Sequence, residues 1–192
     1  MKQQRKIKRY ITDTLPQQDC DRIISAQISI LNNCINSLSG KSESQTKMLI
    51  GTILPRIALY KALMADKKYS ERAYEITRKY LIEVVGAEKH RETSNMEKVP
   101  FFYEIYSRAF LKIMKKTDLQ KSTAKLGDGY YDVTITDCLW HNACVENGCE
   151  ELCRAFCEVD DVNYGNLSKL GFSRTQTLGM GGSCCDFHFY KK

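Results

Sequence analysis

The chain has 192 residues, 43% hydrophobic and 27% charged, a composition that suits one soluble globular domain (residues 1–192) with a core large enough to need no staples. No uninterrupted apolar run approaches membrane-spanning length, and the basic start "MKQQRKIKRY" leads into no apolar signal region, so a cytoplasmic protein is expected. The net charge of +6 is uneven, with 24 Lys/Arg against 13 Asp/Glu up to Gly127 and 5 against 10 from Asp128 on, but no basic cluster is interleaved with aromatics, which argues against a nucleic-acid partner as well as a membrane one.

Residues 1–127 read as a helical half. Ile24, Ile28, Leu31, Ile35 and Leu38 make one apolar stripe, and "SLSGKSES" ends that helix. The next helix runs through "TKMLIGTILPRIALYKALMA", with Pro55 as a kink or junction. Ser70 is placed to cap "ERAYEITRKYLIEVV", whose inward residues would be Ala73, Ile76, Tyr80 and Val84, with Gly86 as the stop. "GAEKHRETSNMEKV" reads as a polar linker with an exposed His90. Pro100 then opens a helix with Phe102, Tyr106, Ala109 and Ile113 inward.

Residues 128–192 change period. In "YYDVTIT", Tyr131, Val133 and Ile135 alternate with polar residues, which is a strand. "CEELCRAFCEVDDVNYGNL" returns to helix. "FSRTQTL" and "SCCDFHFY", joined by "GMGG", read as a β-hairpin. A phosphate loop would need a helix after the glycines, and a strand follows instead. The fold class is therefore α+β: a helical N-terminal half packed on a small antiparallel-sheet unit with a C-terminal β-hairpin.

Nine cysteines in a reducing compartment point away from disulfides, and their number is odd. Cys20, Cys34 and Cys144 read as core thiols. Cys153, Cys157 and Asp160 share one helix face, an arrangement with a carboxylate that an ordinary core avoids. On the last strand Cys185 shares a face with Phe187 and Phe189, whereas His188 points to the other. With Cys138 at a strand end, Cys138, Cys153 and Cys157 are candidate ligands for zinc or iron should a metal be present, although no C-x-x-C pair occurs. The cofactor is otherwise unspecified. As a nucleophile, Cys185 would need a base, and His141 or Asp160 is the candidate.

The segments "ILPRIALYKAL", "TDCLWHNACVENG", "EELCRAFCEVDD" and "GFSRTQTLGMGGSCCDFHF" together resemble the L-2-amino-thiazoline-4-carboxylic acid hydrolase family, most densely from Tyr130 to Phe189. The matching positions are Cys138, Glu151, Cys153, Cys157, Asp160, Arg174, Thr175, Gly182, Cys185, Asp186 and Phe187. Leu139 stands where the family often has Pro, and Cys144, Cys149 and Cys184 look particular to this chain. The resemblance implies a hydrolase acting on a small-molecule substrate. Water would open a carboxylated cyclic isothiourea to an N-carbamoyl-cysteine-like product. Arg174, with Thr175, would hold the carboxylate. Asp160 would activate water or balance the amidinium, and Cys185 would either attack the ring carbon or bind a metal that acidifies water. The alternative is a non-catalytic small-molecule or metal-binding module using the same cysteines. The sequence does not specify an oligomeric state.

Overall fold

The computed structural model describes residues 2–192. The chain forms two compact units, one of Met1–Tyr80 with Ala143–Leu152 and one of Leu81–Asn142 with Cys153–Lys192. The class is α+β, with a helical N-terminal half and a four-stranded antiparallel sheet built from the residues after it.

The first unit is helical: α1 (Lys2–Thr14), α2 (Gln17–Asn36), α3 (Glu43–Met48), α4 (Leu54–Ala65) and α5 (Ala73–Lys79). Ser42 opens α3 with a capping box, its hydroxyl accepting from the Gln45 amide while Gln45 accepts from the Ser42 amide. A π-helical turn, Leu49–Ile53, joins α3 to α4 in one continuous run, and Pro55, which has no N–H to bond the preceding turn, stands just after that widening. As one run, Glu43–Ala65 is long and apolar enough to cross a bilayer, which the sequence reading did not anticipate. It is mostly buried inside the unit instead, and Ile53, Leu54, Ile57, Leu59 and Leu63 form the core. The buried stripe of α2 is Cys20, Ile23, Gln27, Leu31 and Cys34, turned from the expected one, and Ile28 is exposed. Gln27 explains the turn. Its amide donates to the Pro55 carbonyl (3.0 Å) and to Gln4 (2.8 Å), so a polar residue is satisfied on the core face. Cys20, Cys34 and Cys144 are buried, as core thiols should be.

The second unit begins in a π-helical segment, Tyr80–Gly86, that runs straight into α6 (Ala87–Met96). The expected stop at Gly86 and the polar linker after it are therefore replaced by continuous helix. A side chain at Gly86 would lie 3.0 Å from Val162 Cγ1, so the glycine serves close packing rather than termination. The wide π turn also shifts the apolar stripe by one residue, burying Val85 where Val84 was expected. His90 is half-buried, its Nδ1 3.0 Å from the Asn163 carbonyl.

Helix α7 (Phe102–Lys116) turns Phe102, Tyr106, Phe110 and Met114 inward, and leaves Ala109 and Ile113 exposed (Ile113 62%). The rings decide this orientation: Phe110 packs on Tyr131 and Phe189, and Tyr106 packs on Tyr164. The sheet runs β1 (Gln120–Gly127), β2 (Tyr130–Cys138), β4 (Cys185–Lys191), β3 (Leu170–Ser173) in spatial order, all antiparallel. β1 escaped the sequence reading because "QKSTAKLG" is a largely exposed edge strand with no apolar alternation to betray it. Tyr131, Val133 and Ile135 pair with Phe189, Phe187 and Cys185, and all six are buried. The C-terminal hairpin is present, but its first strand ends at Ser173, so Arg174 and Thr175 lie in the loop beyond it. Helix α8 (Leu139–Glu146) follows β2, and α9 (Leu152–Tyr164) precedes β3.

Candidate functional site

Three elements of the second unit converge on the thiols. Helix α9 buries Cys153, Phe156 and Val159, with Cys157 and Asp160 half-buried beside them. Strand β4 turns Cys185, Phe187 and Phe189 into the core that Tyr131, Val133, Ile135 and Tyr164 also build. The loop from Arg174 to Cys184 closes over them through a short 3₁₀ turn, Leu178–Met180. Gly179 in that turn has no alternative. A Cβ there would stand 2.8 Å from Cys153 Sγ and 2.9 Å from Cys157 Sγ, so only glycine lets the loop touch the two sulfurs. The Leu178 amide donates to Cys185 Sγ at 3.4 Å.

Cys138, Cys153, Cys157 and Cys185 come together, each within electrostatic reach of at least one other. Burial pushes the Cys138 thiol up to about 11, against a partial counter-effect of the His141 and Trp140 amides. A hydrogen bond with Cys153, then burial, holds Cys157 far above the ordinary thiol range. Burial also raises Cys185, which the Leu178 amide and Arg174 only partly offset. These are neutral thiols at neutral pH. Among the described residues no three His, Cys, Asp or Glu side chains are grouped so as to hold a metal ion.

The polar end of the site is built around Arg174. Its side chain is 6% exposed, and the guanidinium lies 5.8 Å from the ring centres of both Phe172 and Phe187. Nη2 donates to the Cys157 carbonyl (3.0 Å) and to Asp161 Oδ2 (2.5 Å). Nη1 lies 3.9 Å from Asp160 Oδ2 and makes no hydrogen bond, an unsatisfied buried donor of the kind native structures seldom tolerate. Burial pushes the Asp160 carboxyl up to about 6, against the pull of Lys89 and Arg174. The side chain nevertheless keeps 33% of its exposure, so water reaches it. Tyr106 donates to the Tyr164 hydroxyl at 3.1 Å, and both phenols, raised by burial, sit close enough to feel the Asp160 charge. The Thr177 hydroxyl, beside Cys157, is buried and forms no well-shaped hydrogen bond.

Asp160, Arg174, Cys138, Cys153, Cys157 and Cys185 are thus neighbours. Thr175 turns away, its amide and hydroxyl both donating to Asp186. The His141 imidazole makes no hydrogen bond among the described residues, and the backbone amide of His141 is what meets Cys138. His188 is held by Asp132 at 2.6 Å, away from the thiols as strand parity requires. Lys89, Tyr106, Asp161, Tyr164 and Thr177 were missed. Only Asp161, adjacent to Asp160, carried a local signal; the others reach the site through tertiary packing.

Among known proteins, the chain matches the family described as L-2-amino-thiazoline-4-carboxylic acid hydrolase over residues 47–189. No curated protein and no solved structure matches it.

Proposed function

Because the chain belongs to the L-2-amino-thiazoline-4-carboxylic acid hydrolase family, we propose that it opens a small carboxylated cyclic isothiourea with water. The oxygen of water bonds to the carbon between nitrogen and sulfur, and the carbon–sulfur bond breaks. One water proton ends on sulfur and the other on the ring nitrogen, leaving an N-carbamoyl-cysteine-type product with a free thiol.

The observation that carries this reading is the pairing of an Asp160 raised to about 6 with a buried Arg174 whose Nη1 has no hydrogen bond. Nη1 receives the substrate carboxylate, which converts an orphaned donor into a charge-assisted hydrogen bond. Asp160 is ionised near neutral pH yet more basic than an ordinary aspartate, which suits removal of a proton from attacking water. Its protonated form is then acid enough to pass the proton to a departing thiolate, whose own pKa is near 8.5. Phe172 and Phe187 provide an apolar wall. The neutral thiols, Cys185 foremost, add a polarisable surface without a charge that would oppose a sulfur leaving group. The raised pKa of Cys185 favours attack by water over attack by this thiol.

The test is direct. The purified protein is incubated with 2-aminothiazoline-4-carboxylate, its neutral amide and the corresponding oxazoline and imidazoline, and products are read by mass spectrometry alongside thiol release. Ring opening that requires both the carboxylate and Asp160 is expected. Tight binding of the acid without any product would leave a binding module instead.

A further inference from the structure

Arg174 stands in a loop, one residue beyond the last ladder residue of β3, yet its side chain is largely buried. Something other than the sheet must fix the backbone from which it projects. The contacts of Asp186 supply that fixture. Its Oδ1 accepts from the amides of Thr175 (3.0 Å) and Gln176 (2.8 Å), and its Oδ2 accepts from the Thr175 hydroxyl (2.5 Å). The Asp186 amide returns a bond to the Gln176 carbonyl at 3.4 Å. One carboxylate therefore satisfies three donors in the two residues that follow Arg174. Gln176 extends the clasp across the loop, its Oε1 accepting from the Ser183 amide at 3.1 Å.

The anchor itself is rigid. Asp186 is a ladder residue of β4, opposite Thr134 of β2. It faces the side of the sheet opposite Cys185 and Phe187. Those two neighbours line the candidate site, so Asp186 grips the loop from behind. We propose that Asp186 is a positioning residue for Arg174: it binds no substrate, and through Thr175 and Gln176 it aims the guanidinium at the ligand carboxylate. Only the ligand end of this inference rests on the function proposed above.

A carboxylate is needed for the task. Two amides and a hydroxyl call for acceptors on both side-chain oxygens, and an asparagine offers one oxygen and an NH₂ group. The three donors hold the Asp186 carboxyl below its ordinary value even though burial pushes it up, so the clasp stays charged at neutral pH. This also gives Thr175 a role other than the substrate contact expected from the sequence.

The experiment compares wild type with Asp186→Asn, Thr175→Val and Thr175→Ser. NMR hydrogen exchange of the Arg174 Nε–H and of the Thr175 and Gln176 amides is measured, followed by kinetics on the carboxylated ring and its neutral amide. Loss of one charge-assisted hydrogen bond corresponds to about a tenfold change. Asp186→Asn should therefore speed exchange at Arg174, Thr175 and Gln176 about tenfold while leaving the β2–β4 ladder amides protected. KM for the acid should rise about tenfold with kcat little changed, and the neutral amide should respond to neither. Thr175→Val should move in the same direction, and Thr175→Ser should behave as wild type. If Asp186→Asn does not fold, the two Thr175 variants decide alone. Unchanged Arg174 exchange in Asp186→Asn, or in Thr175→Val where that is the variant that folds, overturns the proposal. If no ring is opened by any form, the function fails while the exchange data still decide the clasp.

Discussion

Replacing Asp160 by Asn tests the site through stability as well as turnover. Burial raises this carboxyl from 3.8 to about 6, so the folded chain holds its proton more tightly than the unfolded chain. Ionising Asp160 therefore costs folding free energy. The cost is absent below about pH 4, develops as pH rises toward 6, and is complete above it. At ~1.4 kcal/mol for each tenfold in the ionisation equilibrium, the ceiling is ~3 kcal/mol. A third of the side chain still faces solvent, and screening reduces this to about 1–2 kcal/mol. Asn keeps the shape without the charge. Urea unfolding should show Asp160→Asn more stable than wild type by about 1–2 kcal/mol at pH 8 and nearly equal to it at pH 4, while turnover falls about 10²–10⁴-fold. A variant destabilised at pH 8, or altered equally at both pH values, refutes the reasoning.

Arg174→Lys should raise KM for the carboxylated ring about tenfold with kcat nearly kept, because one ammonium does not reproduce the planar fork; equal loss on the neutral amide would show that the change is not carboxylate recognition. Gly179→Ala forces a methyl into the sulfur atoms of Cys153 and Cys157, and into the backbone of Cys153 at 3.0 Å, and should cost about 1–3 kcal/mol in urea unfolding; an unchanged midpoint would mean the loop has room. With iodoacetamide at pH 8, Cys138, whose thiolate fraction is about a thousandth, and Cys157 should be alkylated far more slowly than Cys184, the other half-buried thiol, as read by peptide mass; rates matching those in urea would contradict their raised pKa values.

The helical front and the inward faces of β2 and β4 were legible because period 3.6 and period 2 are written in side chains that bury what they display. The failures share a cause. Gln27 reaches the core face of α2 because its amide has partners that no stripe of apolar residues reveals. Val85 replaces Val84 because a π turn adds a residue that helical counting omits. Ile113 faces out because aromatic rings on α7 outbid an aliphatic side chain for the core. At the site, the face shared by Cys153, Cys157 and Asp160 was readable from spacing. Thr175 was not, since it lies in a loop and its partner Asp186 is eleven residues away on strand β4. Tyr106, Tyr164 and Lys89 enter only once α6, α7 and α9 are assembled.

The π-helical segment Tyr80–Gly86 has a further consequence for how this chain tolerates change in length. A residue accommodated in a widened turn is one that the rest of the helix does without. Removing a single residue there would restore α-helical winding and leave the outgoing helix in nearly its present phase, whereas removing one from the regular α-helix that follows would turn the remainder by roughly 100° about its axis. Lys89 would stay near Asp160, and Thr93 would keep its 2.8 Å bond to Asn163. The segment thus acts as a length buffer, and related chains that share the Lys89–Asp160 and Thr93–Asn163 pairings should differ by one residue there more readily than elsewhere in the helix.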